Sequence, residues 1–267
     1  MFPLKTSTLP SSASALQGSL NESLRELFIV TSDPVTIRDA SYPRLAKINV
    51  SLDGAQLRGK PPSIPSLSGK PTPALDVDSL SINASALSIG PAAIDLALSA
   101  TAVSLHQARD AGGNVLLLLH NAAKGHIEIS ASPSDLEALI AEVAKTEAAK
   151  HGVTIDSVQL ILRSKSSRSL AAEVRLRAKK LFLSASIRIT GQLDLDEELN
   201  ARISGLECAG DGAIASVACG VLKPHLQKID GREFPLMSLP LGEVRLRDVQ
   251  LAVAEKLSVT ADFGSAA

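Results

Sequence analysis

The chain has 267 residues, 27 Lys and Arg against 28 Asp and Glu, and a formal net charge of -1. That balance excludes broad binding to nucleic-acid phosphates, which needs a basic face. Aromatic content of 2%, with no Trp, removes the stacking platforms of single-strand binders. Residues 1–13, rich in Ser, Thr and Pro, read as a poorly ordered lead-in. Leu16, Leu20, Leu24 and Leu27 recur at helical spacing and predict a short amphipathic helix. Residues 1–30 are thus an N-terminal segment and 31–267 a single domain.

Period two then takes over. Ala46, Ile48, Val50 and Leu52 alternate with polar residues and end at Asp53-Gly54, a strand followed by a turn. The Pro-, Ser- and Gly-rich stretch 59–74 reads as an extended loop, because Pro is excluded from the middle of a sheet. Leu80, Ile82, Ala84 and Ala86 alternate again, and the apolar set shifts at Leu87 and Ile89, the signature of a β-bulge. Ile94, Leu96, Leu98, Ala100 and Ala102 form the next strand, with a second slip at Val103 and Leu105. Val115–Leu119 is a further strand, and Ile127 and Ile129 share one face. His120 and His126 read as exposed loop histidines.

Ser132 before Pro133 predicts a helix start, an N-cap with proline in the first turn. Ser134 with Glu137 is the alternative, a capping box. Leu136, Leu139, Ile140 and Val143 fill one face of this helix over 134–150. Alternation returns at Val158, Leu160 and Leu162, at Ala172, Val174, Leu176 and Ala178, and at Leu183, Ala185, Ile187 and Ile189, with a phase change at Lys179-Lys180. A second helix is expected from an N-cap at Asp211, with Ile214, Val217, Ala218 and Val221 on its buried stripe and Pro224 kinking or splitting it. Two closing strands follow, through Val244–Val253 and Leu257–Phe263. The fold class is α+β, an antiparallel sheet with helices covering one face.

Catalytic chemistry finds no motif. The five His lack zinc-ligand spacing, no Cys-x-x-Cys occurs, and there is no nucleophile elbow or phosphate loop. No cofactor is implied. Asp194, Asp196, Glu197 and Glu198 read as a solvated turn. The two cysteines, Cys208 and Cys219, read as buried thiols, with mutual pairing the alternative. No run approaches the apolar length of a membrane span, and no secretory leader is visible, so the chain as written reads as cytoplasmic, or as an envelope protein whose leader has been removed.

Two surface features carry functional information. Arg163, Arg175, Arg177, Lys179 and Lys180 make one region basic, which reads first as an ordinary solvated sheet face and, alternatively, suits peripheral contact with an anionic membrane. The inferred inner faces are almost wholly aliphatic. Such a lining suits acyl chains, which need area and few hydrogen bonds, and suits an ordinary packed core as well.

The C-terminal third is more specific. Ile203-Ser-Gly-Leu206 leads through a Gly-rich turn to a helix, then to Phe234-Pro235-Leu236, Ser238-Leu-Pro-Leu-Gly242, Val244-Arg-Leu-Arg-Asp-Val249 and Leu257-Ser-Val-Thr-Ala261. This order resembles the bacterial LmeA-like phospholipid-binding proteins of the tubular lipid-binding (TULIP) superfamily, over roughly residues 75–263. The resemblance implies an elongated, strongly curved sheet wrapped around one long and one shorter helix. It implies reversible binding of a phospholipid or similar amphiphile, with no catalytic residue. The groove would be lined by Leu136, Ile140, Val143, Leu183, Ile187, Val217, Val221, Leu246 and Leu251. The alternatives are a structural or partner-binding protein whose core is filled by its own side chains, and an enzyme.

Overall fold

The computed structural model describes residues 2–59, 65–150, 152–180, 183–236 and 244–265. In chain order the elements are β1 (Phe2–Pro3), α1 (Ala13–Leu27), β2 (Phe28–Ile29), β3 (Val35–Ser41), β4 (Arg44–Ser51), β5 (Gln56–Leu57), β6 (Ser68–Ile89), β7 (Ala92–Arg109), β8 (Val115–Ala131), α2 (Pro133–Ala149), β9 (Thr154–Ser166), β10 (Ser169–Lys180), β11 (Leu183–Leu195), β12 (Asn200–Asp211), α3 (Ala213–Ile229), β13 (Glu233–Pro235), β14 (Arg245–Val253) and β15 (Leu257–Gly264).

They build two sheets and an α+β architecture. The first is ten-stranded, with the path β14-β15-β8-β7-β6-β4-β3, and it does not close on itself. The second is five-stranded, in the order β13-β12-β11-β10-β9. Pairing is antiparallel except that β4 and β5 run parallel to β6, which makes the first sheet mixed rather than wholly antiparallel.

Alternation along the strands becomes apolar rows across the first sheet. One row runs Val50, Ile82, Leu98, Ile127, Ala261, Val249. Its neighbour runs Ile48, Leu80, Ala100, Gly125, Phe263, Leu246. Cross-strand rows of this kind fix register, because a one-residue slip would turn every apolar side chain to the opposite face. The slip expected near Leu87 is a register shift between Ala84 and Leu87, with Ala86 in the left-handed region at φ 53°. The slip at Val103 coincides with Ala102 at φ 47°.

Residues 68–74 of the Pro-rich stretch expected as a loop over 59–74 open β6 instead: Ser68 pairs Arg109 and Thr72 pairs Gln107. β4 joins β6 only from Asp76 onward, so Pro71 and Pro73 sit where β6 has a free edge and need donate nothing. The first residues are not a loose lead-in. Phe2 and Pro3 pair with β8, and Leu4 is fully buried in the same core as α1, because Leu116 and Leu117 need cover on both faces of their strand. His120 and His126 lie within β8 rather than a loop, with His120 stacked on His106 at 3.6 Å.

The helices seal sheet edges as well as faces. β3 ends the first sheet, and its outward N–H groups at Val35 and Ile37 donate to Asn21 Oδ1 and Gln17 Oε1 of α1, both at 2.8 Å. β9 ends the second sheet, and Leu160 N–H donates to Glu137 Oε1 of α2 at 2.6 Å. An unpaired edge invites association with other chains, and these side chains occupy its donors.

Over the second sheet, Leu176, Ile187 and Ala185 pack with Ala215, Ala218 and Cys219 of α3 and with Ala144 of α2. α2 and α3 are equal in length, 17 residues each, rather than one long and one short. α3 runs through Pro224 as a single helix, and its N-cap position is Gly212 (φ 91°), since Asp211 is still in β12. Cys208 and Cys219 form a disulfide tying α3 to β12, with Cα atoms 5.5 Å apart, so the two-thiol reading is overturned. The bond forms because the helix begins directly after β12 and folds back over it, with Ala215 fully buried against the sheet.

Candidate functional site

The apolar faces of the two sheets meet at one end. There Leu170, Leu195 and Ala201 of the second sheet pack with Val249, Leu251 and Ala261 of the first. The tip between β9 and β10 is clamped to β14: Leu251 N–H donates to Ser167 O at 2.7 Å, and Arg168 pairs with Asp248 at 3.1 Å. The hydrogen bonds of Gln250 and Arg168 hold the Asp248 carboxyl below the usual range.

Away from this junction the first sheet opens. A row of paired residues crosses β6, β7, β8, β15 and β14 as Ala84, Leu96, Ile129, Val259, Leu251. Its ends are buried, Ala84 at 3% and Leu251 at 5% exposure. Leu96 and Val259 are half-buried, and Ile129 at the centre is 42% exposed. Ile94, Leu98 and Ile127 on the flanking rows are half-buried too. A packed sheet is usually driest at its middle and wettest at its rims, whereas this row is the reverse. This aliphatic row, half-buried at Leu96 and Val259 and open to water at Ile129, is termed the trough.

α2 is seated at the start of β7. Its Ser132 cap accepts from Asp135 N–H at 3.1 Å, with Pro133 in the first turn, as the sequence predicts. Asp135 Oδ1 in turn accepts the N–H of Ala93 at the start of β7, at 2.9 Å, and the Ser132 hydroxyl donates to its other oxygen. Chiefly through the Ser132 hydroxyl, and then through Ala93 N–H, the Asp135 carboxyl is held below its ordinary value. A depressed carboxyl contributes stability that is complete above its unfolded pKa of about 3.9 and lost as pH falls through the folded value. The seat of α2 on β7 is therefore expected to hold at neutral pH and loosen below about pH 4. Amide exchange of α2 across this range checks it. Asp135→Asn should flatten the dependence, and an unchanged profile in that variant would contradict the assignment.

The sequence-expected lining residues do not converge on one surface. Leu136 and Ile140 are half-buried on α2, while Val143 is 65% exposed. Ile187 is buried beneath α3, Leu251 is buried at the sheet junction, and Leu246 is half-buried between the first core and that junction. Val217 is 69% exposed, because α3 turns Ala215, Cys219 and the expected Ala218 to the sheet, and the Ile214 side chain lies outside the described residues. The side chains of Leu183, Val221 and Lys180, and the Ser238–Gly242 motif, lie outside the described residues. Leu96, Ile129 and Val259 carried a signal, their place in alternating strands, but only the register shows that they share a row.

The basic residues do share a surface, the outer face of the second sheet. Arg163, Arg175, Arg177 and Lys179 are all exposed there. Arg175 donates to Glu173 at 2.6 Å, Lys179 pairs with Asp156 at 3.1 Å, and Lys165 is bonded to Gln192. Two hollows mark this face. One of about 430 Å³ is bordered by Arg175, Arg177, Ser186 and Arg188, and one of about 240 Å³ by Arg163, Lys165 and Glu173.

Among the described residues no group of three or more His, Cys, Asp or Glu is placed to hold a metal, and no helix is long and apolar enough to cross a membrane. His126 Nδ1 and Asp262 Oδ1, 2.6 Å apart, pair on an exposed surface. No family model, curated protein or solved structure matches the chain.

Proposed function

We propose that this protein is a non-catalytic binder of a phospholipid or similar amphiphile, holding an acyl chain in the trough of the first sheet. The observation that carries this reading is the inverted burial along Ala84, Leu96, Ile129, Val259 and Leu251, buried at both ends and open at Ile129. Burying apolar surface is worth about 25 cal/mol per Å², so an aliphatic floor open to water is a standing driving force for an apolar ligand. Acyl methylenes satisfy it without hydrogen bonds, which fits a floor with no polar side chain in its central row.

Consistent support comes from the chain order that resembles the LmeA-like proteins: helix, Pro-Leu segment and two closing strands. The proposal includes TULIP-like curvature of the first sheet around its ligand. It also includes peripheral contact with an anionic membrane through the basic outer face of the second sheet. The Cys208–Cys219 bond favours an oxidising compartment such as a cell envelope, since cytosolic thiols are normally kept reduced.

The test is uptake from phosphatidylcholine vesicles. Protein separated from vesicles is expected to carry extractable lipid, and Ile129→Glu is expected to carry at least tenfold less. Because Ile129 is already 42% exposed, the substitution should leave the thermal midpoint nearly unchanged. A folded Ile129→Glu variant that loads as well as the parent would remove the trough from the account. Wild-type protein that loads no lipid would favour the scaffold with a self-filled core.

A further inference from the structure

The alternation that turns Leu176 and Ile187 inward turns arginines outward. On the outer face of the second sheet one row runs Gln159, Arg175, Arg188, Ala209, and the next runs Ser157, Arg177, Ser186, Asp211. Arg175 and Arg188 are therefore direct cross-strand partners. Like charges placed opposite one another across an antiparallel pair are destabilising, so something must offset the arrangement. Glu173 answers only part of it. It accepts from Arg175 at 2.6 Å, and Arg188 adds only a longer-range attraction to it. The side chains of Arg177 and Arg188 make no hydrogen bond or ion pair with any described residue. Asp211 borders the same space, but stands across Ser186 from Arg177 in its row.

These side chains border a hollow of about 430 Å³, which Ser157, Gln159 and Ser186 also line. That volume lies within the range of small-ligand sites. Guanidinium groups present planar forks of N–H donors matched to phosphate oxygens, and hydroxyl and amide groups supply further donors to the same oxygens. The apolar trough belongs to the other sheet, and the two sites use no residue in common.

We infer that the hollow framed by Arg175, Arg177 and Arg188 is a binding site for a phosphate-class oxyanion, whose negative charge offsets the opposed arginines. The ligand is a phosphate monoester, either free or as the head group of an anionic lipid. The inference stands apart from the acyl-chain reading.

The experiment titrates the full chain with inorganic phosphate by calorimetry, and with phosphatidylcholine vesicles with and without phosphatidic acid by co-sedimentation. Saturable binding of either probe is expected, reduced about tenfold or more in Arg188→Gln and Arg177→Gln and unchanged in Lys223→Gln, an exposed lysine of α3 outside the hollow. A tenfold loss corresponds to removal of one charge-assisted contact of about 1.4 kcal/mol. In phosphate-free buffer Arg188→Gln should melt no lower than the parent, because it relieves a repulsion, so loss of binding is separable from loss of fold. Saturation by inorganic phosphate identifies a soluble ligand. A response only to vesicles containing phosphatidic acid identifies the lipid head group. No saturable response to either probe overturns the inference, as does equal weakening by Lys223→Gln. Ile129→Glu should keep the response, which separates failure here from failure of the trough.

Discussion

Phe263→Ala is expected to destabilise the protein by about 3–5 kcal/mol, the usual range for emptying a buried Phe site. Phe263 is buried and pairs with Gly125 across β15 and β8, and its ring lies directly over that glycine. A Cβ built on Gly125 would stand 2.0 Å from Phe263 Cε2. No side chain fits there while the ring stays, so the row continues from Ala100 to Phe263 through a residue without one. Gly125→Ala should therefore lose roughly 1–3 kcal/mol through overpacking. The two changes should not add, since removing the ring makes room for the methyl group. Urea denaturation of both single variants and the double variant checks this. Strict additivity would show that the ring does not depend on the glycine.

The second large effect is reduction of Cys208–Cys219. The bond spans a sequence separation of 11 and ties α3 to β12. Closing a loop of that order stabilises by roughly 3 kcal/mol in the chain-entropy account. α3 has no side-chain cap hydrogen bond at its start, and among the described side chains Ala215, Ala218 and the disulfide seat its first turns on the sheet. Reducing agent is therefore expected to lower the urea midpoint and to speed amide exchange first in α3, with the first sheet unaffected at low denaturant. Alkylation of unreduced, denatured protein should find no free thiol. Two free thiols and a midpoint indifferent to reductant would contradict the assignment.

The strands and α2 were legible because each is a local statement. Alternation at Ile94–Ala100 or Val174–Ala178 needs only a buried face, and Ser132-Pro133 carries its helix start in two residues. The bulge at Ala84–Leu87 was legible for the same reason, as a slip of phase along one strand. Less visible was anything that depends on a partner. Period two does not say that the strands divide between two sheets, that β4 runs parallel to β6, or that Pro71 and Pro73 find a free edge. On α3 the expected stripe keeps Ala218 and loses Val217, because spacing does not say which of two adjacent apolar residues faces the sheet. The choice of Ala215, Ala218 and Cys219 was settled by Gly210 and the disulfide beneath them.

The candidate site followed the same division. Its residue types were visible as an aliphatic excess, and its basic face as Arg163 to Lys179. Which aliphatics stay open was not visible, because Ile129 and Ile127 alternate identically while only Ile129 is exposed. Exposure at the centre of a row is a property of register and of what the second sheet fails to cover.

The most direct test of lipid binding is native mass spectrometry of the wild-type chain after incubation with phosphatidylcholine vesicles. The account predicts a protein mass raised by one phospholipid, released on denaturation and nearly absent from Ile129→Glu. A bare protein mass before and after incubation, with the fold intact, would contradict it.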